Sequence, residues 1–393
     1  MIIGKGNDPG FRSSQLPPGG KTHTSERNSG IELLKIFAIL LIILSHVVQT
    51  LGENALVDCA LDLSIATTNP QQFVLVILRQ AGTFGNAIFF TCSAWFLLDS
   101  KKVNKKKWWF MLLEIWSISV TILAVTYILR SGNIEAKMVM ESLLPTTFAA
   151  NWYITCYLLF YLLHPTLNEI IGRMSQKELL RTASLLVVLY IGFNFIKSSL
   201  FFPSAIIIWV AIYFAVAYIK LYLKDFASSV MVNICVMLIA LAGHIGLIFI
   251  TNLLGLQINA FSDKLLHWNR NSNPFMIAAA ICLLNLARKV NWKNRVVNHI
   301  SKQSMLIYII HDNLIIRSYY RPYLINYIYE NFGYQHIVFW VFALALAVFL
   351  ASACASLLYK HTLQRLVKPA SERICENFDM LYQKYENLIL KFH

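Results

Sequence analysis

Charged residues are scarce in this chain. Asp, Glu, Lys and Arg make up 14% of its 393 residues, whereas hydrophobic residues make up 57%. A soluble domain has about 45–50% apolar and about 25% charged residues. The composition therefore excludes an ordinary soluble fold, because so much apolar surface needs a solvent other than water. We expect an integral membrane protein.

Cysteine pairs and metal-ligand motifs are also lacking. The seven cysteines are an odd number, which argues against a disulfide framework. Five of them lie inside apolar blocks, where a thiol can serve as a small packing residue: Cys92, Cys156, Cys235, Cys282 and Cys354. Neither a CxxC nor an HxxxH spacing occurs, so we predict no metal site. We find no glycine-rich phosphate loop of the P-loop type and no internal repeat, and we expect no additional soluble domain.

Long hydrophobic runs, in contrast, are abundant. They fall into blocks of about 17–25 residues, the length that crosses a hydrocarbon core of about 30 Å as an α-helix. The second block is the least regular, because Arg79, Gly82 and Gly85 interrupt it, and we expect its first turns to line a cavity. The sequence predicts an all-α polytopic membrane helical bundle, residues 31–360, with about ten transmembrane helices. The predicted spans are 31–51, 73–98, 108–130, 152–171, 180–197, 204–222, 229–250, 273–289, 303–318 and 337–359.

The distribution of Lys and Arg predicts the orientation, because short cytoplasmic loops retain positive charge. With the N-terminus inside, the internal loops include SKKVNKKKW, residues 100–108, and ARKVNWKNRVVNHISK, residues 287–302. The first external loop, residues 52–72, contains no Lys or Arg. We therefore expect both termini in the cytosol and a multi-pass protein of the plasma membrane. The net charge of +14 then lies mainly on the inner membrane face, near anionic lipid, and does not require nucleic acid.

Two terminal segments lie outside the predicted spans. Residues 1–30 are rich in Gly, Ser, Pro and charge and lack the continuous apolar region of a cleaved signal, so we expect a disordered cytosolic tail. Residues 361–393 form a second cytosolic tail, in which apolar residues recur at alternating four- and three-residue steps. This pattern predicts an amphipathic helix on the inner membrane surface. Its apolar face consists of Ile374, Phe378, Leu381, Tyr385, Leu388 and Phe392.

Ionisable residues inside a span are costly unless they face a cavity or a partner, so each is a candidate functional residue. In the first span, Glu32 and Lys35 are three residues apart and can pair on the helix surface. Both are close to the cytosolic end, where snorkelling explains them as well as function does. His46 lies on the same face as Lys35 but roughly 16 Å further along the axis, too deep to snorkel to the inner surface.

Two further ionisable residues reach the depth of His46 when residues are counted along their spans. His311 does so in a span that begins near residue 303, where Ser304, Tyr308 and His311 share one helical face. Arg79 reaches a similar level from the external side. Three ionisable residues from separate spans at one depth favour a polar cavity over unrelated core contacts.

Such a cavity suits acyl transfer. A neutral histidine can take a proton from a hydroxyl that attacks an activated acyl carbon, a role worth about 10²–10⁴ in rate. A neighbouring cation can stabilise the developing oxyanion or orient a polar acceptor. We therefore predict His46, Arg79 and His311 as catalytic residues.

Four segments, in order along the chain, follow the pattern of one known family. RNSGIELLKIFAILLIILSH, residues 27–46, is similar to R-N-x-x-x-D-x-x-R followed by ten residues and His. IFFTCSAWFLLDSKK, residues 88–102, is similar to F-F-x-x-S-G-y-L with its basic loop. NWYITCYLLFYLLHP, residues 151–165, and ISKQSMLIYIIHD, residues 300–312, are similar to W-F-x-x-x-Y-L-l-x-Y-l-l-x-P and S-x-x-S-f-x-I-Y-L-x-H. Over roughly residues 27–360, the chain resembles the acyltransferase-3 family of integral membrane acyltransferases.

The resemblance implies an activity. Acyl-CoA, most simply acetyl-CoA, would dock from the cytosol as a cosubstrate, with no permanently bound cofactor. The acyl group would pass to a hydroxyl of a cell-envelope glycan or a lipid-linked sugar precursor. By position, His46 is the catalytic residue, and the candidates for binding the donor are Lys35, Lys106 and Lys107. The candidates for substrate binding are Glu32, Ser93, Trp152 and Tyr308.

Three departures from the family pattern stand out. Lys35 stands where the family usually has arginine, and lysine lacks the bidentate fork of a guanidinium. Ala94 replaces a glycine. The basic loop after the second span contains only lysines, whereas many relatives have Arg-x-x-Arg.

Two other functions fit the same residues. A transporter or flippase of a polar or lipid-linked solute would place its translocation site at the intramembrane polar groups, and it predicts discontinuous spans and inverted repeats. A binding or sensing member of the same fold without catalysis is a third alternative, which the presence of His46 disfavours.

Overall fold

The computed structural model describes residues 28–53, 61–130, 133–197 and 204–390. Within these ranges the structure is almost entirely helical, and no residue belongs to a strand. The predicted disordered tail, residues 1–30, lies almost wholly outside the described residues.

The α-helices of the described ranges run in sequence from the first predicted span to the C-terminal tail. They are α1 (Ser29–Glu53), α2 (Pro70–Leu97), α3 (Lys105–Leu129), α4 (Ala136–Leu143), α5 (Trp152–Arg173), α6 (Gln176–Leu186), α7 (Asn194–Ile196), α8 (Ala205–Tyr222), α9 (Lys224–Ser228), α10 (Val230–Gln257), α11 (Pro274–Lys289), α12 (Arg295–Ser301), α13 (Ser304–His311), α14 (Arg321–Phe332), α15 (Ile337–His361) and α16 (Gln364–Leu390). Two π-helical turns, Val187–Phe193 and Ile316–Tyr320, join α6 to α7 and precede α14.

Eight segments of the described chain are long and apolar enough to cross a membrane. They are α1, α2, α3, α5, the stretch from Gln176 to Ile196, α8, α10 and α15. The two remaining predicted spans, 273–289 and 303–318, contain shorter helices, since α11 has 16 residues and α13 has 8. The prediction of an all-α polytopic membrane bundle is confirmed.

Helix α1 lies at the centre of the bundle. It packs along α2 and also contacts α11, α12, α13, α14 and α15. Gly82 and Gly85 do not interrupt α2; they let its backbone approach α1 closely. A Cβ added at Gly82 would lie 2.6 Å from Ser45 Oγ, and one at Gly85 would lie 2.6 Å from the carbonyl oxygen of Ala38. The two glycines therefore fix the position of α1 beside α2, next to His46.

The predicted span 303–318 is not one continuous helix. Helix α13 ends at His311, and the chain turns at Asp312 and Asn313 before the π-helical turn begins. The Asn313 side-chain oxygen accepts a hydrogen bond from the backbone N–H of Ile315 at 3.0 Å. This local bond competes with helical pairing and is a physical reason for the break. A break at membrane depth frees backbone groups, which must then find partners inside the protein.

The predicted amphipathic helix of the C-terminal tail is observed as α16. It packs against the first turns of α3, where the Trp109 and Phe378 ring centroids are 5.5 Å apart. Phe378, Leu381 and Tyr385 remain half or more exposed, so an apolar face is available for the membrane surface. Its contact with that surface stays a prediction, and the side chains of Leu388 and Phe392 lie outside the described residues.

Candidate active site

The two intramembrane histidines predicted at one depth are in contact. His46 Nδ1 lies 3.2 Å from His311 Nε2, and the rings stack with centroids 5.3 Å apart. His46 comes from the outer half of α1, whereas His311 is the last residue of α13. The helix break after His311 therefore lies directly at the site.

The hydrogen bonds of the two rings determine which nitrogen carries a proton. His311 Nδ1 is 3.0 Å from the carbonyl oxygen of Ile307, which can only accept, so Nδ1 carries the hydrogen. In a neutral ring His311 Nε2 is then an acceptor, and His46 Nδ1 must be the donor to it. The Nε2 lone pair of His46 is left free, since no described residue bonds to that atom. This arrangement gives a proton acceptor that faces the adjoining pocket.

A carboxylate supports this arrangement. Asp312 Oδ1 lies 3.2 Å from His46 Nδ1, and Asp312 Oδ2 accepts a hydrogen bond from the Tyr308 hydroxyl at 3.4 Å. A carboxylate on one imidazole nitrogen orients the ring and stabilises the cation that forms when the other nitrogen takes a proton. Asp312 is not among the predicted site residues. Its signal in the sequence is an acidic residue next to a histidine inside a predicted span.

Arg321 holds the two histidine-bearing segments together. Its guanidinium donates to the carbonyl oxygen of His311 at 2.6 Å and, at 3.4 Å each, to the carbonyl oxygen of His46 and to Thr50 Oγ1. It also lies 3.9 Å from Asp312 Oδ1 and is only 4% exposed. Arg321 thus provides partners for the backbone at the helix break. The sequence did not predict it, because it follows the end of the predicted span.

His46 opens into a pocket at the end of the bundle away from the lysine-rich loops. We call this the outer pocket, and its volume is about 350 Å³. It is lined by His46, Gln49, Thr50, Trp152, Asp312, Arg317, Ser318 and Arg321. The predicted residues His46 and Trp152 face it directly, whereas His311 is buried behind His46. The lining can bind a polar molecule next to a proton acceptor.

A second cavity opens at the end that carries the lysine-rich loops, and we call it the inner cavity. It has two lobes of about 600 and 290 Å³, which share Lys35, Ser93, Lys107 and Tyr157. The first lobe also contains Glu32, and the second extends to Tyr153 and Tyr308. This cavity brings together most of the residues predicted to bind the donor and the substrate.

An aromatic layer separates the inner cavity from the outer pocket. Tyr308 lines the inner cavity, its ring centroid is 5.4 Å from that of His311, and its hydroxyl reaches Asp312. The neighbouring Tyr153 ring is 5.6 Å from Tyr308 and also lines the inner cavity, whereas Trp152, one residue earlier, lines the outer pocket. Tyr308 therefore lines the inner cavity on one side and contacts two residues of the histidine site, His311 and Asp312, on the other.

Within the inner cavity, the two charged residues of the first predicted span form an ion pair. Lys35 Nζ lies 3.3 Å from Glu32 Oε1, and Glu32 Oε2 accepts a hydrogen bond from Ser301 Oγ at 2.5 Å. Ser93 Oγ donates to the carbonyl oxygen of Phe89 at 2.9 Å. Lys35 therefore contacts a carboxylate of its own helix while it lines the cavity.

Two other predicted residues lie apart from both openings. Lys106 Nζ is 3.6 Å from Glu376 Oε1 of α16, and Lys106 does not line the inner cavity. Arg79 donates to Ser45 Oγ at 3.1 Å, while Ser45 Oγ donates to the carbonyl oxygen of Arg79. Arg79 is thus near the backbone of His46 but is not part of the lining of the outer pocket.

The histidine pair and Asp312 also form a set of metal-ligand type. One nitrogen of His46, one of His311 and a carboxylate oxygen of Asp312 all lie within 4.8 Å of one another, and such donors could hold a metal ion. In the arrangement described, however, His46 Nδ1 hydrogen-bonds to His311 Nε2 and lies 3.2 Å from Asp312 Oδ1, and the Arg321 guanidinium lies 3.9 Å from the same carboxylate oxygen. We interpret the cluster as a hydrogen-bonded acid–base site.

Comparison with known families identifies the family of the chain. A sequence model of the Acyltransferase domain family matches residues 28–356, which is well over half of the chain. The chain belongs to the acyltransferase-3 family. Comparisons with the curated proteins and with the solved structures gave no match.

This acyltransferase-3 protein is therefore a multi-pass membrane enzyme that transfers acyl groups other than aminoacyl groups. A reaction of this class requires an acyl donor and an acceptor. The matched range begins just before α1 and ends within α15, so it contains both cavities and the histidine pair.

Proposed function

We propose that the protein is a membrane O-acyltransferase, with acetyl-CoA as the simplest donor and a hydroxyl of a cell-surface polysaccharide or lipid-linked glycan precursor as the acceptor. The observation that carries this proposal is that the outer pocket opens on His46, while the inner cavity extends to Tyr308, whose ring contacts that of His311. The predicted orientation places the inner cavity at the cytosolic side, where acyl-CoA is available, and the outer pocket at the external side.

The inner cavity has the features that a thioester donor needs. Lys35 and Lys107 line it, and ammonium groups attract phosphate as point charges. The Lys107 ammonium also lies 5.4 Å from the Tyr161 ring centroid. Deeper in the cavity, Met111, Ile154 and Met305 provide an apolar path toward Tyr308. These residues suit a donor whose charged part stays near the lysine-rich loops while its thioester reaches the aromatic layer.

The hydrogen bonds of the histidine pair support the chemistry that we propose. His46 Nε2 takes the proton of the acceptor hydroxyl, whose oxygen forms a bond to the thioester carbonyl carbon. The carbon–sulfur bond then breaks, and the leaving thiolate takes the proton back from the imidazolium. Asp312 stabilises that imidazolium through His46 Nδ1. Each acyl transfer therefore returns His46 to its starting protonation state.

One observation bears on the transporter alternative. The helix break at Asp312 and Asn313 is a discontinuous span of the kind that a transporter predicts. Arg321 and Tyr308 bond to this break, however, and orient Asp312 toward His46. Membership of an acyltransferase family together with this acid–base arrangement favours chemistry over translocation.

The test supplies acetyl-CoA, labelled in the acetyl group, to membranes that contain the wild type or His46→Ala. We expect label in the glycan fraction and loss of the thioester with the wild type, and a loss of about 10²–10⁴ in rate with the variant. His336→Ala, which changes an exposed histidine at the N-terminus of α15, is the matched control. Undiminished transfer by His46→Ala at equal protein level contradicts the catalytic role. Intact acetyl-CoA with the wild type contradicts the acetyltransferase.

A further inference from the structure

The charges of the outer pocket do not balance. Its charged side chains are Arg317, Arg321 and Asp312, and His46 is neutral in the hydrogen-bond pattern described above. Two cations and one anion leave one net positive charge in a pocket bounded by protein at membrane depth. A pocket with a net positive charge attracts an anion, and the protein around it makes this attraction stronger than it would be in bulk water.

The two arginines differ in how they are paired. Arg321 is almost fully buried and bonds to the carbonyl oxygens of both histidine segments, so it holds the site together. Arg317 is only partly buried, and its guanidinium makes no hydrogen bond or ion pair with any other residue that the structure describes. Its planar fork is therefore available to a bound molecule.

The position of Arg317 is fixed by the helix break. It lies in the π-helical turn, four residues before Arg321, and its backbone N–H donates to the carbonyl oxygen of Asn313 at 2.9 Å. Residues four apart share one helical face, so both arginines reach the same pocket. Trp152 provides an indole on the wall of that pocket, a surface on which the apolar face of a sugar ring can pack. The volume of about 350 Å³ is near the lower end for small-molecule pockets and suits one sugar residue.

We propose that the acceptor is an anionic sugar, whose carboxylate or phosphate oxygens bind Arg317 while a neighbouring hydroxyl faces His46 Nε2. This inference rests on the proposed function, because it names the acceptor class of the same site. A guanidinium binds either oxyanion in a bidentate way, which orients the sugar as well as attracting it. The anion itself does not react: the acceptor loses only its hydroxyl proton and gains the acyl group.

The test measures binding to the purified protein in detergent by thermal unfolding, so it does not depend on turnover. The probes are methyl glucoside, methyl glucuronoside, the methyl ester of the glucuronoside, and glucose 6-phosphate. The carboxylate and phosphate probes distinguish the two anion sources, and the ester has the shape of the acid without its charge. We expect one or both anions to raise the unfolding temperature of the wild type, and the two neutral probes to leave it unchanged.

Three variants complete the design. Arg317→Gln should weaken anion binding at least about tenfold, as expected for a lost charge-assisted bidentate contact. Arg317→Lys, which keeps the charge without the fork, should retain part of the binding. Arg130→Gln removes the same charge beside Tyr319, whose ring centroid lies 4.1 Å away, and should retain all of it.

Several outcomes overturn the inference. The inference is wrong if the ester stabilises the protein as much as the acid does. It is also wrong if neither anion stabilises the protein at millimolar concentrations, or if Arg317→Gln binds the anions as tightly as the wild type. The wild-type comparison of acid and ester decides the point even if a variant fails to fold. The proposed function is tested separately, by acetyl transfer from labelled acetyl-CoA to the same sugars. If the protein transfers acetyl groups to neutral and anionic sugars at equal rates, the proposed acyltransferase activity stands and the anionic acceptor is wrong. If it binds the anions but never consumes the thioester, the anion site stands and the proposed acetyltransferase activity is wrong.

Discussion

The inner cavity and the outer pocket both contain cations, but of different types and in different states of pairing. The inner cavity has lysines, and Lys35 is already paired with Glu32 on its own helix. The outer pocket has arginines, one of which is buried as a structural clamp and the other available at the wall. Ammonium groups attract phosphate without directing it, whereas a guanidinium fork fixes orientation. We infer that the inner cavity attracts its substrate and the outer pocket aligns it.

Replacing Asp312 is the strongest test of the difference between the inner cavity and the outer pocket. Replacing it by Asn keeps the size of the side chain but removes the charge that stabilises the His46 imidazolium. A hydrogen bond to a charged group contributes about 1.5–3 kcal/mol, so kcat should fall about 10- to 100-fold. The KM for acyl-CoA should stay within about twofold, because Asp312 does not line the inner cavity. Steady-state kinetics on membranes at matched protein level measure both values.

The control for Asp312 is Asp263→Asn. Asp263 is an exposed aspartate that pairs with Lys264 at 2.8 Å, outside the spanning helices. It should leave both constants unchanged. If Asp312→Asn instead raises the KM for acyl-CoA at constant kcat, the division of roles between the two openings is wrong.

A smaller effect is expected at Lys107. Lys107→Gln removes a partly solvated point charge from the inner cavity, so the KM for acyl-CoA should rise about two- to fivefold with little change in kcat. The effect should shrink as salt is added, because exposed charges are screened. Titrating acyl-CoA at low and at high salt measures this.

Lys106→Gln is the matched control for that experiment. Lys106 and Lys107 are adjacent in the sequence, but Lys106 Nζ lies 3.6 Å from Glu376 of α16 and does not line the cavity. We expect the KM of Lys106→Gln to match the wild type. An equal rise of the KM for acyl-CoA in both variants would mean that the summed charge of the basic loop attracts acyl-CoA, without a specific contact from Lys107.

The smallest effect is expected from a chelator. The two histidines are hydrogen-bonded to each other, Asp312 lies 3.2 Å from His46 Nδ1, and the Arg321 guanidinium adjoins them. Dialysis against EDTA should therefore leave acetyl transfer unchanged. A loss of activity that zinc restores would replace the acid–base site by a metal centre formed by the same three side chains.

The sequence predicted much of the fold because hydrophobic length is a direct consequence of membrane thickness. It also predicted that His46 and His311 lie at one depth, since counting along two helices gives depth without any knowledge of packing; the contact between the two rings is a finding of the structure. The depth of a residue does not determine the side of the helix to which its side chain points. Arg79 is at a suitable level, yet it bonds to Ser45 and does not face the outer pocket.

The sequence did not reveal the polar residues around the helix break. In a continuous helix over 303–318, helical periodicity would determine the directions in which the Asp312 and Arg317 side chains point. The turn at Asn313 changes the directions of both side chains. Arg321 follows the predicted span and still reaches back to His311. Such contacts depend on where backbone hydrogen bonds fail, and this is decided by tertiary packing as much as by local sequence.

The close contact of α1 and α2 has a consequence for how an acyl group would cross the membrane. No Cβ fits at Gly82 or Gly85, so the two backbones interlock beside Ser45, and the helix that carries His46 has little room to slide or tilt. Because His46 stays in place, acyl transfer does not require the rigid-body motion by which the two halves of a carrier expose a site to one side and then the other. In the proposed reaction each substrate would enter and leave by its own side, and only the two-carbon acetyl group would travel past Tyr308. The barrier to other molecules could then stay closed throughout the catalytic cycle.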